Sequence, residues 1–265
     1  DYLEAERRAA ELERLTTSSD QNPQTLRQTT NDLTHVLTFA LQDQRVSHPS
    51  SPPGRTTFAS PRVRSQRPPS SRQIAEEMMT AISNLLGANV SVLEESDPNG
   101  EAAQAIYDVI NSFTNDVPLE PGSTVAIRTE NLFVQAEEID PRQVDRQALV
   151  FSPGSHQREI NSSRLSWEPR LEFPEEILKM ASAALGRNES LRLQFAAFEN
   201  DKLFARRGDG KQGRRRRVVA ASIRGVRVQN LTDPVVYTLP NPWPGRKVLC
   251  IYWKEEVIAI ILWGG

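Results

Sequence analysis

Cysteine is almost absent from this sequence: Cys250 is the only one among 265 residues. A single thiol excludes a disulfide framework within these residues and any paired-cysteine zinc site. It reads either as a buried, reduced core residue or as half of a disulfide whose partner lies elsewhere. Histidine is nearly as scarce. His35, His48 and His156 stand far apart with no ligand spacing, so neither a metal nor a cofactor is expected. No run of about 18 apolar residues is present, so no segment is expected to span a membrane; the longest candidate, 257–263, has only strand length. The chain opens on Asp1, Glu4, Glu6, Arg7 and Arg8 without an apolar signal core, so a secretory leader, if there is one, is expected outside these residues. A formal net charge of −2 lacks the basic excess that non-specific nucleic-acid binding needs.

Catalytic signatures are missing as well. There is no Gly-rich phosphate loop and no Gly-x-Ser-x-Gly elbow. Glu137 and Glu138 are adjacent, so on a strand they point to opposite faces and cannot act together. Glu175 and Glu176 sit at a helix start, where they complement the dipole. No catalytic residue is assigned.

What is present divides the chain in two. Residues 1–117 read as helical. Leu3, Ala10, Leu12 and Leu15 form a weak apolar stripe over 2–15. A stronger pattern over 25–42 follows Pro23. Over 71–86, Ile74, Met78, Ile82, Leu85 and Leu86 make one face, and Gly87 supplies the stop. Over 101–113 the face is Ala105, Ile106, Val109, Ile110 and Phe113. Between the second and third helices, 48–71 is rich in Pro, Ser and Arg and reads as a flexible insertion or, alternatively, as a proline-rich ligand for another domain.

From Pro118 to 265 the pattern is one of short strands: 124–128, 132–136, 148–151, 170–173, 191–198, 218–223, 226–229, 235–239, 248–253 and 257–262. The segment 191–198 alternates Leu191, Leu193, Phe195 and Ala197 against Arg192, Gln194 and Ala196. One helix interrupts the series at 175–185, between Pro174 and Gly186. Segregated helices and strands predict an α+β fold: a helical N-terminal subdomain over 1–117, then an antiparallel β-sandwich subdomain over 118–265.

Two surface features stand out. Asn-x-Ser/Thr sequons occur at Asn89, Asn161, Asn188 and Asn230, more than chance supplies, and lean toward a secreted, glycosylated protein. The run Arg214, Arg215, Arg216, Arg217 follows Gly208, Gly210 and Gly213. It reads as a solvated hairpin loop, as a site for a basic-residue-specific protease, or as a patch for a sulfated or phosphorylated polyanion.

Four passages carry a family resemblance. They are 129–135 (Thr-Glu-Asn-Leu-Phe-Val-Gln), 190–204 from Ser190 through Asp201-Lys202-Leu203-Phe204, 228–239 with its Asn230-Leu231-Thr232-Asp233-Pro234-Val235 core, and Cys250-Ile251-Tyr252-Trp253. Residues 118–253 resemble the GAIN domain of adhesion G-protein-coupled receptors, with Cys250 and Trp253 matching the structural Cys-x-x-Trp opening of the GPCR proteolysis site (GPS) motif. The polycystin family shares this domain, and a self-cleaving polycystin-like ectodomain is the alternative; the Asn-Leu-Thr-Asp-Pro signature leans toward the receptors.

The resemblance implies a regulatory scaffold on the extracellular side of the plasma membrane. It implies as partners a tethered C-terminal receptor fragment, whose first strand is an agonist, and an extracellular protein ligand. It implies roles in adhesion and signalling, a disulfide at Cys250, and a membrane link only through a downstream region. In the family a Ser or Thr after His-Leu attacks the preceding carbonyl. Residues 254–265 hold no His-Leu-Ser/Thr and no second cysteine, so that nucleophile is not among these residues.

Overall fold

Helices come first along the chain and antiparallel sheets second, as the hydrophobic periods predict. The computed structural model describes residues 2–17, 24, 28–29, 32, 36, 71–88, 90–96, 101–139, 149–151, 169–184, 190–202, 217–226, 228, 230–239, 249–255 and 258–264. Within them are helices α1 (Tyr2–Thr17), α2 (Ser71–Gly87), α3 (Val90–Ser96), α4 (Glu101–Asp116) and α5 (Glu176–Ala184). The strands are β1 (Thr124–Arg128), β2 (Leu132–Ile139), β3 (Leu149–Phe151), β4 (Arg170–Phe173), β5 (Leu191–Phe198), β6 (Val218–Ile223), β7 (Val236–Thr238), β8 (Leu249–Glu255) and β9 (Ile258–Gly264). The helix expected over 25–42 lies mostly outside the described residues, although Gln28, Thr29, Asp32 and Val36 are helical. The insertion expected over 48–71 lies outside them up to Ser71, which opens α2.

One sheet has the order β1-β2-β5-β6-β9-β8 and the other the order β3-β4-β7, with every pair antiparallel. Strands β2 and β5 of the larger sheet are buried on both faces. Alternation along β2 and β5 sends Leu132, Val134, Ala136, Ala196 and Phe198 into one core with α1, α2 and α4. It sends Phe133, Ile139, Leu191, Leu193, Phe195 and Ala197 into a second core with the smaller sheet and α5. The order of layers is therefore helices, six-stranded sheet, three-stranded sheet.

That layering explains three departures from the sequence reading. All eight residues of β5 are buried, because the polar parity of the strand faces the helices and not water. On α1 the buried stripe is Ala5, Ala9, Leu12 and Thr16, and Ala10 is exposed. Two alanines at helical spacing let α1 approach α2 closely, and Asn84 of α2 donates to the hydroxyls of Thr16 and Thr17. Finally, of the strand expected over 226–229 only Val226 and Val228 are described, and neither belongs to a ladder. Val226 makes a single bridge back to Ile223 across a tight turn in which Gly225 has φ +74°, a backbone state that glycine reaches without steric cost. The short helix α3 has no counterpart in the sequence reading; seven residues are too few to show a period.

The second core is centred on aromatic pairs. Phe195 lies 5.8 Å from Phe133 and 6.3 Å from Phe151, and Phe151 meets Phe173 edge-on at 5.9 Å. Tyr237 of β7 packs at the margin of this core, where burial pushes its phenol above the ordinary value of 10.0. A raised folded value means that the neutral phenol's contribution is complete below the unfolded value and is lost as pH rises through the folded one. Replacing Tyr237 with Phe is therefore expected to remove a phenol that ionises above its ordinary range from an ultraviolet titration and to soften the loss of stability at alkaline pH. An unchanged titration curve would contradict this burial.

Candidate functional site: the helix–sheet seam and the closing hairpin

The last four carbonyls of a helix lack partners within it, and basic side chains in the last turn commonly supply them. Neither α2 nor α4 has a basic residue in its last turn. The sheet supplies the donors instead. At the end of α2, Asn200 Nδ2 donates to Leu86 O at 3.1 Å, and Lys202 Nζ reaches Gly87 O at 3.3 Å and Ala88 O at 2.6 Å. Asn131, in the β1–β2 turn, donates its backbone N–H to Ser83 Oγ and its side-chain Nδ2 to Ser83 O, each at 2.9 Å. Burial lowers the pKa of Lys202 from the ordinary lysine value, yet the negative end of the helix dipole is a favourable place for an ammonium.

The end of α4 is held in the same manner. Arg192 Nη2 donates to Val117 O at 2.9 Å, Arg224 Nη1 donates to Asn115 O at 3.1 Å, and Gln194 Nε2 donates to Asn115 Oδ1. Ser222 Oγ donates to Gln194 Oε1 at 3.0 Å. Arg192 also forms an ion pair across β2 and β5, with Nε 2.6 Å from Glu138 Oε2; its N–H does not lie along the hydrogen-bond line. Both side chains are under a tenth exposed. Ser190 Oγ donates to the other oxygen of Glu138. Desolvation pulls the Arg192 guanidinium below its ordinary pKa, and Glu138 is the largest opposing influence.

The second element of the site is the hairpin that closes the larger sheet. β9 is hydrogen-bonded to β6, with Val218 opposite Leu262, Val219 opposite Ile261 and Ala220 opposite Ile260. β8 pairs with the other edge of β9, so the chain's last described strand lies inside the sheet and the one before it at the margin. Cys250 stands opposite Trp263 and Trp253 opposite Ile260. The Cys-x-x-Trp passage is thus the edge strand β8.

The third element is the turn that leads to β7. Asn230 is exposed, with φ +55°, a left-handed conformation that Asn tolerates better than most residues. Leu231 packs on the second core. The Asp233 N–H donates to Glu176 Oε1 at 2.9 Å, tying the turn to the start of α5. Asn89, Asn161 and Asn188 lie outside the described residues, as do Arg214, Arg215 and Arg216. Arg217 is buried, and its guanidinium lies 3.4 Å from Glu199. That member of the run is engaged inside the fold.

Among the described residues no cluster of three or more His, Cys, Asp or Glu is placed to hold a metal, and no helix is long and apolar enough to cross a membrane. A crevice between α4 and β5–β6, lined by Tyr107, Asn111, Ala196, Ala220 and Ser222, is far smaller than a substrate pocket.

The model of the family described as "GPS: GAIN subdomain B" matches residues 126–259, more than half of the chain. The chain belongs to this family. The match runs from β1 to the start of β9 and so contains the three-stranded sheet, most of the six-stranded one, the Asn230 turn and β8. Comparison with curated proteins yields no match. Among solved structures, the chain is similar to the full extracellular region of zebrafish Gpr126/Adgrg6, at 12% identity and a TM-score of 0.45. The likeness covers 94% of this chain and 35% of that one, so the chain spans about a third of that structure's length.

Three passages that carry the GAIN resemblance contribute to the seam or the turn. Asn131, Arg192, Gln194, Asn200 and Lys202 fall in the first two, and Asn230 to Asp233 in the third. Their capping roles escaped the sequence reading. Two signals bear on them: helices that lack a basic last turn, and polar residues at the buried parity of a strand.

Proposed function

We propose that this chain is the extracellular GAIN-containing part of an adhesion-type G-protein-coupled receptor. In this reading it is a regulatory scaffold that holds the receptor's tethered agonist strand and takes part in cell-surface interaction and signalling. The observation that supports it best is the family match over 126–259 ending in a hairpin that is paired into the main sheet. A strand added to such a sheet is retained by a ladder of backbone bonds without covalent continuity, which is the physical requirement for a tethered fragment. Its partners are then the C-terminal receptor fragment and an extracellular protein ligand, and Cys250 pairs with a cysteine outside these 265 residues.

The test uses the full-length protein with an epitope tag ahead of residue 2. Antibody staining of intact cells, and signalling through a G protein that is lost when 249–264 is deleted, are the expected results. Staining only after permeabilisation would overturn the extracellular placement. Surface staining with ion conductance in place of G-protein signalling would transfer the chain to the polycystin-like alternative.

A further inference from the structure

We propose that the contact between α1 and α2 is a proton-sensitive latch, tight when the Glu77 carboxyl is protonated and looser when it is ionised. Ala5, Ala9, Leu12 and Thr16 bring α1 onto α2, and Asn84 fastens one end of the contact through Thr16 and Thr17. Glu77 stands two turns before Asn84 on α2. It is partly buried, and its two oxygens differ. Oε1 accepts from Gln73 Nε2 at 3.2 Å. Oε2 is buried and accepts no hydrogen bond, an arrangement that penalises the ionised form.

The charges around Glu77 add to that penalty. Among the described residues, those that act on it are Glu13 and Glu6 of α1 and Glu76 of its own helix. The cations of the two helices are engaged elsewhere. Arg8 pairs with Glu4 at 2.9 Å, Arg14 with Glu11 at 2.7 Å and Arg72 with Glu76 at 2.8 Å, all exposed, and Arg7 acts on Glu11. The other neighbours supply no counter-charge beside Glu77. Helix α4 has no basic residue. Asp32 is the one titratable group described between 18 and 70. Lys202 of the sheet is spent on the far end of α2, at Gly87 O and Ala88 O. No three carboxylates among the described residues are placed to share a metal ion, so a proton is the cation that removes the charge.

The sign follows from these contacts. Burial first, and then Glu13, Glu6 and Glu76, push the Glu77 carboxyl above the ordinary value of 4.5, against the hydrogen bond from Gln73. When α1 lifts away, Glu77 meets water and leaves the field of Glu6 and Glu13, so opening releases a proton and closing takes one up. The stabilisation is complete below the ordinary value and is lost as pH rises through the value of the closed form. Because Ala5, Ala9 and Leu12 belong to the core shared with β2 and β5, loosening α1 uncovers part of the helical layer that the sheet grips.

Hydrogen–deuterium exchange of the whole chain in mildly acidic and in neutral buffer, corrected for the intrinsic pH dependence of exchange, tests the latch. Peptides covering 2–17 are expected to be several-fold better protected in acid, and peptides covering 101–116 equally protected in both. Equal protection of 2–17 at the two pH values overturns the proposal. So does a parallel change in 101–116, which reports a global loosening. In Glu77→Gln, a neutral side chain of nearly the same shape, protection of 2–17 in neutral buffer is expected to reach the wild-type acid level and to lose its pH dependence. Glu13→Gln removes the larger of the two opposing α1 charges and keeps Glu77, so it is expected to raise neutral protection in part and to leave a reduced pH response. If Glu77→Gln does not fold, Glu13→Gln decides alone. A pH response of wild-type size in either folded variant overturns the proposal.

Discussion

Replacing Phe195 with Ala is expected to lower the unfolding free energy by about 3–5 kcal/mol. Phe195 is 1% exposed at the centre of a strand that is buried on both faces, and it touches the rings of Phe133 and Phe151. The loss has two parts: the transfer of a large apolar side chain and the cavity left between two sheets whose backbones are fixed by their ladders. Relaxation is restricted because β5 is paired on both edges, to β2 and β6. Phe195→Leu keeps most of the volume and is expected to cost markedly less. Chemical denaturation monitored by circular dichroism checks both; equal and small losses would mean that the second core does not depend on this ring.

Replacing Arg192 with Met is expected to be about as damaging, at roughly 3–5 kcal/mol, for a different reason. The substitution leaves Glu138 buried without its cation and leaves Val117 O without its donor. Much of the penalty belongs to the stranded carboxylate and not to the pair itself, so neutralising that group restores stability. The double variant Arg192→Met, Glu138→Gln is expected to recover a substantial part of the loss. Equal stability of the single and double variants would show that the helix-end hydrogen bonds, and not the ion pair, dominate. The pair also has a positional consequence. It joins β2 and β5 at the point where α4 ends, so losing it loosens the helical layer where the sheet grips it.

Much of this fold is readable in one dimension. The stripes Ile74, Met78, Ile82, Leu85 and Ile106, Val109, Ile110, Phe113 are those that enter the core. The bounds of β1, β4, β5 and β6 coincide with the strands expected from alternation and composition. The polar parity of β5 was misleading because alternation reports two different environments and does not say that either is water. Arg192 and Gln194 look like surface residues until the helical layer is placed over them. The caps of α2 and α4 could not be read for a related reason. Each donor comes from a residue more than 40 positions away from the helix end it serves, and spacing along the chain carries no trace of such a contact. The family likeness in those passages marked their positions without giving their work. Asn230 is the reverse case: the sequon is legible as a string, and the fold adds the exposed left-handed turn.

The central claim is that the closing hairpin is a structural part of the sheet, seated on β6, and not an appendage. Hydrogen–deuterium exchange of the purified protein, read by mass spectrometry on peptides covering 218–223 and 249–264, tests it most directly. The account predicts that amides of 260–262 exchange with the slowness of their ladder partners 218–220, both sets opening together. Exchange of 258–264 at the rate of an unstructured chain, with 218–223 still protected by β5 alone, would contradict it.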